Sequence, residues 1–312
     1  MSLVYDVPAA GSDSIEHADW IELEAIASQN GSCSYEELAT QIHISGTTDV
    51  MESDETDDED AAGDLSYEVA DRTWAEIERR HQWCGGDDGL YPFEVSTGSI
   101  SLKKSPEASS YVFQLLLSHF GRTAGPTGTF GERIFEHLSS AAGTSYFGGE
   151  TNNARHFRFG LPRPDRTGFE TALNNLCREL NCGTVKHGAA LMGEQQDSHL
   201  DVVVWRSFPD DREGKVIGFG QCATGKHWRD KLQELQPETF ASEWLNDRFH
   251  PQPVRMFFLP HCVEDRQWSH VTINAGVVFD RCRTTQLTGT LDGELRDQCK
   301  NWSSHVIQQL RA

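Results

Sequence analysis

The chain opens with apolar positions at helical spacing. Two segments between residues 17 and 44, DWIELEAIAS and SYEELATQI, place apolar residues three and four apart, and Ser34 and Glu37 form a capping box in the second. A third helical segment covers residues 66–83, and two strand-like pieces, YPFEV and SISLKK, follow it around a TGS turn. The pattern predicts three helices and a hairpin over residues 17–104, and we expect residues 1–104 to form one small, mostly helical domain.

Two further apolar helices are predicted after the hairpin. The segment PEASSYVFQLLLSHF, residues 106–120, has Pro106 near its start and is too hydrophobic for a free linker. We expect residues 105–130 to be a connecting segment whose helix packs on one half of the protein. The segment GERIFEHLSSAA, residues 131–142, again has apolar residues at helical spacing and predicts the first helix of a second domain.

The second half of the chain alternates between strand and helix patterns. Residues 148–164 are rich in Gly, Asn and Arg, which predicts an irregular loop. The following predicted elements are helix 169–180, strands 200–205 and 216–223, helix 226–236, strands 254–259 and 275–280, and helix 293–310. This order predicts an α/β (α+β) domain over residues 131–312, with a mixed central sheet flanked by helices.

Composition narrows the class of protein. The chain has 312 residues, of which 37% are hydrophobic, so it can form two ordinary domains. We expect no membrane span, because no apolar run approaches ~20 residues, and no signal peptide, because MSLVYDVPAAGSDS lacks a basic start and an apolar core. Eight cysteines without a CxxC pair argue against structural zinc. We therefore expect a cytoplasmic protein with reduced core thiols.

The charge is strongly acidic. The net charge of −21 differs from the basic footprint of a self-sufficient nucleic-acid binder. Part of the acidity is local, because residues 52–60, ESDETDDED, hold seven acids in nine positions. We expect a disordered acidic loop over residues 50–63, and it is either a solubilising insertion or a phosphate mimic that covers a basic surface. The candidate nucleic-acid contacts are Arg79, Arg80, Arg155 and Arg158.

Two predicted core strands each carry one unexpected polar residue. Asp201 lies in LDVVVW and Gln221 in VIGFGQC, and the turn FPDDREGK lets these strands pair as a hairpin. The period of two then allows Asp201 and Gln221 to approach each other near one end of the sheet. A buried carboxylate costs several kcal/mol unless it is compensated, and Mg²⁺ or Mn²⁺ would compensate it. Alternatively, Asp201 caps a strand end and Gln221 is hydrogen-bonded in the core.

The order of these residues resembles a known family. A helix with Glu136, a strand with Asp201 and a strand with Gln221 are similar to the PD-(D/E)XK, or restriction-endonuclease-like, nucleases over residues 131–283. Mrr-type enzymes of that superfamily have Gln at the third position. The chain departs from the family at Ala223, where the motif lysine is expected. The resemblance then assigns the lysine to Lys226 or Lys231 in the next predicted helix.

The resemblance implies metal-dependent hydrolysis of DNA phosphodiester bonds. A Mg²⁺ or Mn²⁺ ion would be held by Asp201, Glu136 and the backbone carbonyl near Cys222, and the lysine would act on the water or the transition state. The helices and hairpin of residues 17–104 resemble winged-helix domains, which bind DNA through the third helix and wing or dock proteins.

A cellular role also follows from the resemblance. Sequences of this type in the superfamily commonly belong to prokaryotic restriction or anti-phage defence systems, and the resemblance implies such a role here. No GxxxxGK[ST] motif occurs in this chain, which favours control by a partner ATPase or sensor subunit. The sequence pattern does not decide whether the protein forms a homo-oligomer. The alternative is a catalytically inactive nuclease-fold protein that serves as a DNA- or protein-binding scaffold, which Gln221 and Ala223 favour.

Overall fold

The protein is a mixed α and β structure with two compact units. The computed structural model describes residue 3 and residues 5–50, 58–160, 168–186, 199–291 and 293–312. Unit 1 consists of Met1–Thr129 and Thr290–Ala312, and unit 2 consists of Phe130–Gly289. Within the described parts of the chain, no helix is both long enough and apolar enough to cross a bilayer.

Unit 1 combines helices with a small antiparallel sheet. Its elements are α1 (Ser14–Ala27), β1 (Ser32–Ser34), α2 (Tyr35–Val50), α3 (Asp58–Trp83), β2 (Phe93–Ser96), β3 (Ser99–Leu102), α4 (Ser110–Phe120) and, from the end of the chain, α10 (Gly293–Leu310). The three predicted helices and the hairpin are present. Strand β1, which the sequence analysis did not predict, joins the hairpin in the order β1-β3-β2.

The last helix belongs to unit 1, which corrects the predicted domain of residues 131–312. Helix α10 packs on α4. Trp302 is fully buried, and its ring meets that of Phe113 at a centroid distance of 5.3 Å. Near the end of the helix, Arg311 donates to the carbonyl of Ile26 at 2.9 Å. Helix α4 was predicted to belong to a connecting segment, but it is part of the core of unit 1.

The predicted disordered loop over residues 50–63 is wrong at its end, because α3 begins at Asp58. Acidic residues are favourable in the first turn of a helix, so the end of an acidic run can begin one. The rest of the run, residues 51–57, lies outside the described residues.

Arg80 on α3 lies in the core of unit 1, not on its surface. The residue is 0% exposed. Its guanidinium contacts Asp19 at 2.7 Å, Glu76 at 2.8 Å and Glu22 at 3.0 Å. These contacts join α1 to α3 and take Arg80 out of reach of a nucleic acid, which corrects its predicted role.

The carboxylate of Glu22 extends this buried network. It accepts hydrogen bonds from the hydroxyls of Tyr91, at 2.6 Å, and Tyr111, at 2.7 Å. Burial and the neighbouring Glu22 charge raise the pKa of Tyr91 well above its usual value. The phenol therefore keeps its proton and remains a donor to the carboxylate.

Unit 2 contains a five-stranded mixed sheet. Its elements are α5 (Gly131–Tyr146), β4 (Ala154–Arg158), α6 (Phe169–Leu180), β5 (Val202–Arg206), β6 (Ile217–Cys222), α7 (Pro237–Trp244), β7 (Val254–Phe258), α8 (Asp265–Ala275), β8 (Val277–Phe279) and α9 (Arg281–Thr288). The strand order is β4-β5-β6-β7-β8. Strands β4, β5 and β6 pair antiparallel, whereas β6, β7 and β8 pair parallel. The predicted mixed sheet is confirmed.

Helices cover both faces of this sheet. Val203 and Phe219 share one face and pack in a core cluster with α6 and α7. On the other face, α5 approaches the sheet at Gly143, where an added Cβ would lie 2.7 Å from Val204. A larger residue at 143 would separate the helix from the strands, so this glycine sets the position of α5.

Three local predictions for unit 2 need correction. The predicted loop of residues 148–164 contains β4, and α8 and α9 were not predicted. The predicted helix of residues 226–236 is instead a turn followed by a 3₁₀ helix at Trp228–Lys231. The buried Trp228, Leu232 and Leu235 have helical spacing, but they do not share one apolar face, because Trp228 and Leu232 pack in one core cluster and Leu235 in another.

Candidate functional site

Two carboxylates from different elements converge beside Gly160. Glu136 lies on α5 and is 9% exposed, and Asp201 lies directly before β5. A Cβ added to Gly160 would lie 3.0 Å from Asp201 Oδ1 and 3.0 Å from Glu136 Oε1. The two oxygens are therefore at most about 6 Å apart. The structure brings together two of the residues predicted from the sequence, and it adds Gly160, which no sequence pattern indicated.

Asp201 is held by hydrogen bonds to both neighbouring strands. Its N–H donates to the carbonyl of Gly220 at 2.9 Å, and its own carbonyl accepts from Phe159 at 2.7 Å and Gly160 at 3.1 Å. Its Oδ2 accepts the N–H of Cys222 at 2.7 Å. The carboxylate thus closes the end of the β5–β6 pairing, as one of the two sequence-based interpretations expected, and its second oxygen faces Gly160.

Gln221 is next to Asp201 in strand register but has another side-chain partner. Val202 pairs with Gly220, so Asp201 and Gln221 follow at the same end of the two strands. Gln221 is 4% exposed, and its Nε2 donates to Glu234 Oε2 at 2.6 Å. The same oxygen lies 3.3 Å from Nδ1 of His199. Because the amide nitrogen is directed at Glu234, the amide oxygen is directed away from it.

The thiol of Cys222 lies in a negative electrostatic potential at this end of the sheet. Burial, the Asp201 charge and the Glu136 charge, in that order, raise the pKa of its thiol well above the ordinary value. The thiol is therefore neutral and a poor metal ligand, and the role of the backbone carbonyl near Cys222 stays a prediction. The same negative potential that retains the thiol proton attracts a cation.

Neither candidate lysine lies in an α-helix. Lys226 is in the turn after β6, and Lys231 is the last residue of the 3₁₀ helix. Both side chains are exposed, and neither forms an ion pair with a described residue. Ala223, where the family motif has lysine, is fully buried. The assignment of the motif lysine to Lys226 or Lys231 stays a prediction.

The predicted nucleic-acid contacts have different surroundings. Arg155 is exposed and Arg158 half-buried on β4, where they pair across the strands with Trp205 and Val202. Arg158 therefore lies at the same end of the sheet as Asp201. Arg79 forms an ion pair with Glu76 and also stacks over Trp83 at 4.5 Å. Two other arginines of this basic part of the sequence, Arg163 and Arg166, lie outside the described residues.

The donor set suits a hard cation with few protein ligands. Among the described residues, no group of three or more His, Cys, Asp and Glu side chains is placed to hold a metal. Glu136 and Asp201 alone offer two carboxylates, which is the number Mg²⁺ commonly takes when water and substrate oxygens complete its octahedron. The arrangement is compatible with a substrate-assisted metal site.

The sequence-based site is thus only partly assembled by the fold. The order of the candidate residues is kept: Glu136 on α5, Asp201 at the start of β5 and Gln221 on β6. Glu234, the partner of Gln221, was missed because nothing in its local sequence distinguishes it from a solvated helical residue. Comparison of the chain with family models, with curated proteins and with solved structures finds no match.

Proposed function

We propose that the protein is a metal-dependent nuclease that hydrolyses DNA phosphodiester bonds. The observation that carries the proposal is the convergence of Glu136 and Asp201 beside Gly160. The order of α5, β5 and β6, with Glu136 on the first, Asp201 directly before the second and Gln221 on the third, supports the resemblance to the PD-(D/E)XK nucleases.

The residues at this site fit a divalent cation. Two buried or half-buried carboxylates within about 6 Å of each other repel unless a proton or a cation lies between them. Glu136 and Asp201 would hold Mg²⁺ or Mn²⁺, together with a backbone oxygen near Cys222. When bound, such an ion polarises a phosphate and lowers the pKa of a coordinated water.

The protein's own groups orient this site. The N–H of Cys222 fixes one oxygen of Asp201, so the other keeps its direction toward Gly160. Glu234 holds the amide of Gln221. Gly160 leaves room for both carboxylates, because a side chain there would contact them. Positioning of this kind lets a site act without reorganising during the reaction.

The test is cleavage of supercoiled plasmid DNA by the full chain. We expect nicking or linearisation in Mg²⁺ or Mn²⁺ and none in EDTA. An Asp210→Asn variant, altered in the exposed β5–β6 turn, should cleave like the wild type. Absence of cleavage with either metal, by a chain shown to be folded, would favour the binding-scaffold alternative that Ala223 and Gln221 suggest.

The missing motif lysine gives a second expected result. Lys226 follows the β6 strand end by four residues and is preceded by Gly225, so its chain can fold back toward Gln221. Lys226→Ala should lower the cleavage rate roughly a hundredfold, on the scale of losing one transition-state donor. Lys231→Ala should cost far less.

Comparison of single and double lysine variants decides the role. The reverse ranking in the plasmid assay would assign the role to Lys231. If the double variant Lys226→Ala/Lys231→Ala keeps the wild-type rate, no lysine takes part, and this step of the family mechanism does not apply.

For unit 1 we propose a winged-helix-like module. The order helix, strand, helix, helix and hairpin, with β1 joining the hairpin, supports it. Arg80 is buried and Arg79 is paired, so Arg72 is the exposed arginine of α3. This distribution favours protein docking over DNA contact through α3.

A further inference from the structure

A cavity in unit 2 lies away from the residues described above. It has a volume of about 520 Å³ and lies between the first turns of α7 and the segment that leads into β7. Its polar lining includes Gln236, Glu238, Ser242, Arg248, Gln252 and Arg255. The volume is in the usual range of small-molecule sites, and none of these residues belongs to the Glu136–Asp201 site.

The charge of this cavity is opposite to that of the chain. Two guanidiniums and one carboxylate line it, which leaves one positive charge in a protein of net charge −21. Arg248 Nη1 lies 3.2 Å from Glu238 Oε1, and both side chains are exposed. Lys186 adds positive charge nearby, because its ammonium donates to the carbonyl of Ser242.

Arg255 is the group that points to a ligand. It is half-buried on β7, and its guanidinium forms no hydrogen bond or ion pair with the described residues. Partial burial of a guanidinium raises its free energy because it loses contact with water. An anion bound in the cavity would offset this loss. The planar fork of arginine matches the oxygens of phosphate and binds them with two hydrogen bonds.

We infer that this cavity binds a small phosphate-bearing molecule of nucleotide size. Arg255 and Arg248 contact the phosphate, and the first turn of α7 on the same wall favours the same sign of charge. The side-chain amides of Gln236 and Gln252 and the hydroxyl of Ser242 supply donors and acceptors for the rest of the ligand. The volume of about 520 Å³ and the acidity of the chain favour a small ligand over a long nucleic acid. This inference does not depend on the proposed nuclease activity.

The negative charge of Glu238 opposes the binding of an anion in this cavity. Its carboxylate pairs with Arg248 and repels a phosphate in the same cavity. Removing this charge frees Arg248 and lowers the repulsion. Glu238→Gln should therefore tighten binding, whereas Arg255→Gln should weaken it, and a purely structural role for these residues would not produce opposite signs.

The experiment is calorimetric titration of the full chain at about 50 mM salt with pyrophosphate and with adenosine and guanosine 5′-diphosphate. We expect Arg255→Gln to weaken binding roughly tenfold or more, the scale of a charge-assisted hydrogen bond. Glu238→Gln should tighten it several-fold. Arg212→Gln, which removes the same charge in an exposed turn, should bind like the wild type. Nucleotide binding that exceeds pyrophosphate binding would identify a nucleotide rather than a simple phosphate as the ligand.

Several results would overturn the inference. One is absence of binding by the wild type to all three probes at millimolar concentration. Another is an equal loss in Arg255→Gln and Arg212→Gln. A third is binding of a single-stranded oligonucleotide at this site far more tightly than of any probe. Melting curves check that Arg255→Gln folds. If it does not, the exposed Glu238→Gln variant decides, and unchanged affinity in that variant refutes the assignment.

Discussion

Asp201→Asn should lower metal-dependent DNA cleavage by on the order of a hundredfold or more. The side-chain oxygen of asparagine can still accept the N–H of Cys222, which Asp201 accepts at 2.7 Å, so the end of the β5–β6 pairing is kept. What is lost is the negative charge that holds the cation. Glu136→Gln, which is nearly isosteric, should cause a similar loss from the other side of Gly160.

Stability separates this result from a structural effect. Because two carboxylates near each other repel, removing one charge should leave the melting temperature unchanged or raise it. The measurements are the plasmid cleavage rate and the thermal unfolding of the same preparations, with Asp210→Asn as the matched control. Wild-type activity in Asp201→Asn would refute the metal site. A large fall in melting temperature with Asp201→Asn would assign the residue a structural role instead.

Direct metal binding adds a readout that is independent of activity. Mn²⁺ titration followed by electron paramagnetic resonance should show a bound ion in the wild type. Asp201→Asn/Glu136→Gln should lose it.

Elements with a complete local signal could be predicted from the sequence. Helix α6 was predicted at its observed bounds, Phe169–Leu180, because its apolar residues recur at helical spacing and form one face that packs in the core. The period of two and the intervening turn also placed Asp201 and Gln221 at one end of β5 and β6. These features depend on neighbours within a few residues or across one turn.

Elements that depend on distant partners could not be predicted. Strand β4 is short, basic and at the edge of the sheet, where charged residues are common, so its composition is also that of a loop. The apolar face of α10 fits any apolar surface, and only the packing against α4 shows which unit it joins. Glu234 joins the site through its hydrogen bond with Gln221, and the two residues are thirteen positions apart in the sequence.

Arg80 shows how a local pattern can mislead. Glu76 and Arg80 are four residues apart on α3, which is the pattern of a solvated ion pair on a helix surface. Asp19 and Glu22, about sixty residues earlier, enclose the same guanidinium in the fold. The sequence contains these acids but gives no sign that they meet Arg80.

Replacement of Arg80 is expected to destabilise the protein strongly. Arg80→Met preserves much of the side-chain volume but removes the cation from Asp19, Glu22 and Glu76. Breaking a buried ion pair by removing one partner costs roughly 3–5 kcal/mol, because a buried charge loses its compensation. The loss should appear as a lower urea concentration at the midpoint of unfolding. The unfolding is monitored with a signal that arises from unit 1.

The neighbouring Arg79 is the matched control for this change. It also pairs with Glu76, but its side chain is partly exposed and stacks over Trp83 at the helix surface. Arg79→Met should therefore cost clearly less than Arg80→Met, because 17% of the Arg79 side chain is exposed and none of the Arg80 side chain is. Equal losses in the two variants would mean that the Arg80 network is no more costly to break than the Arg79–Glu76 pair. A much larger loss for Arg80→Met would establish the network as the polar centre that holds α1 against α3.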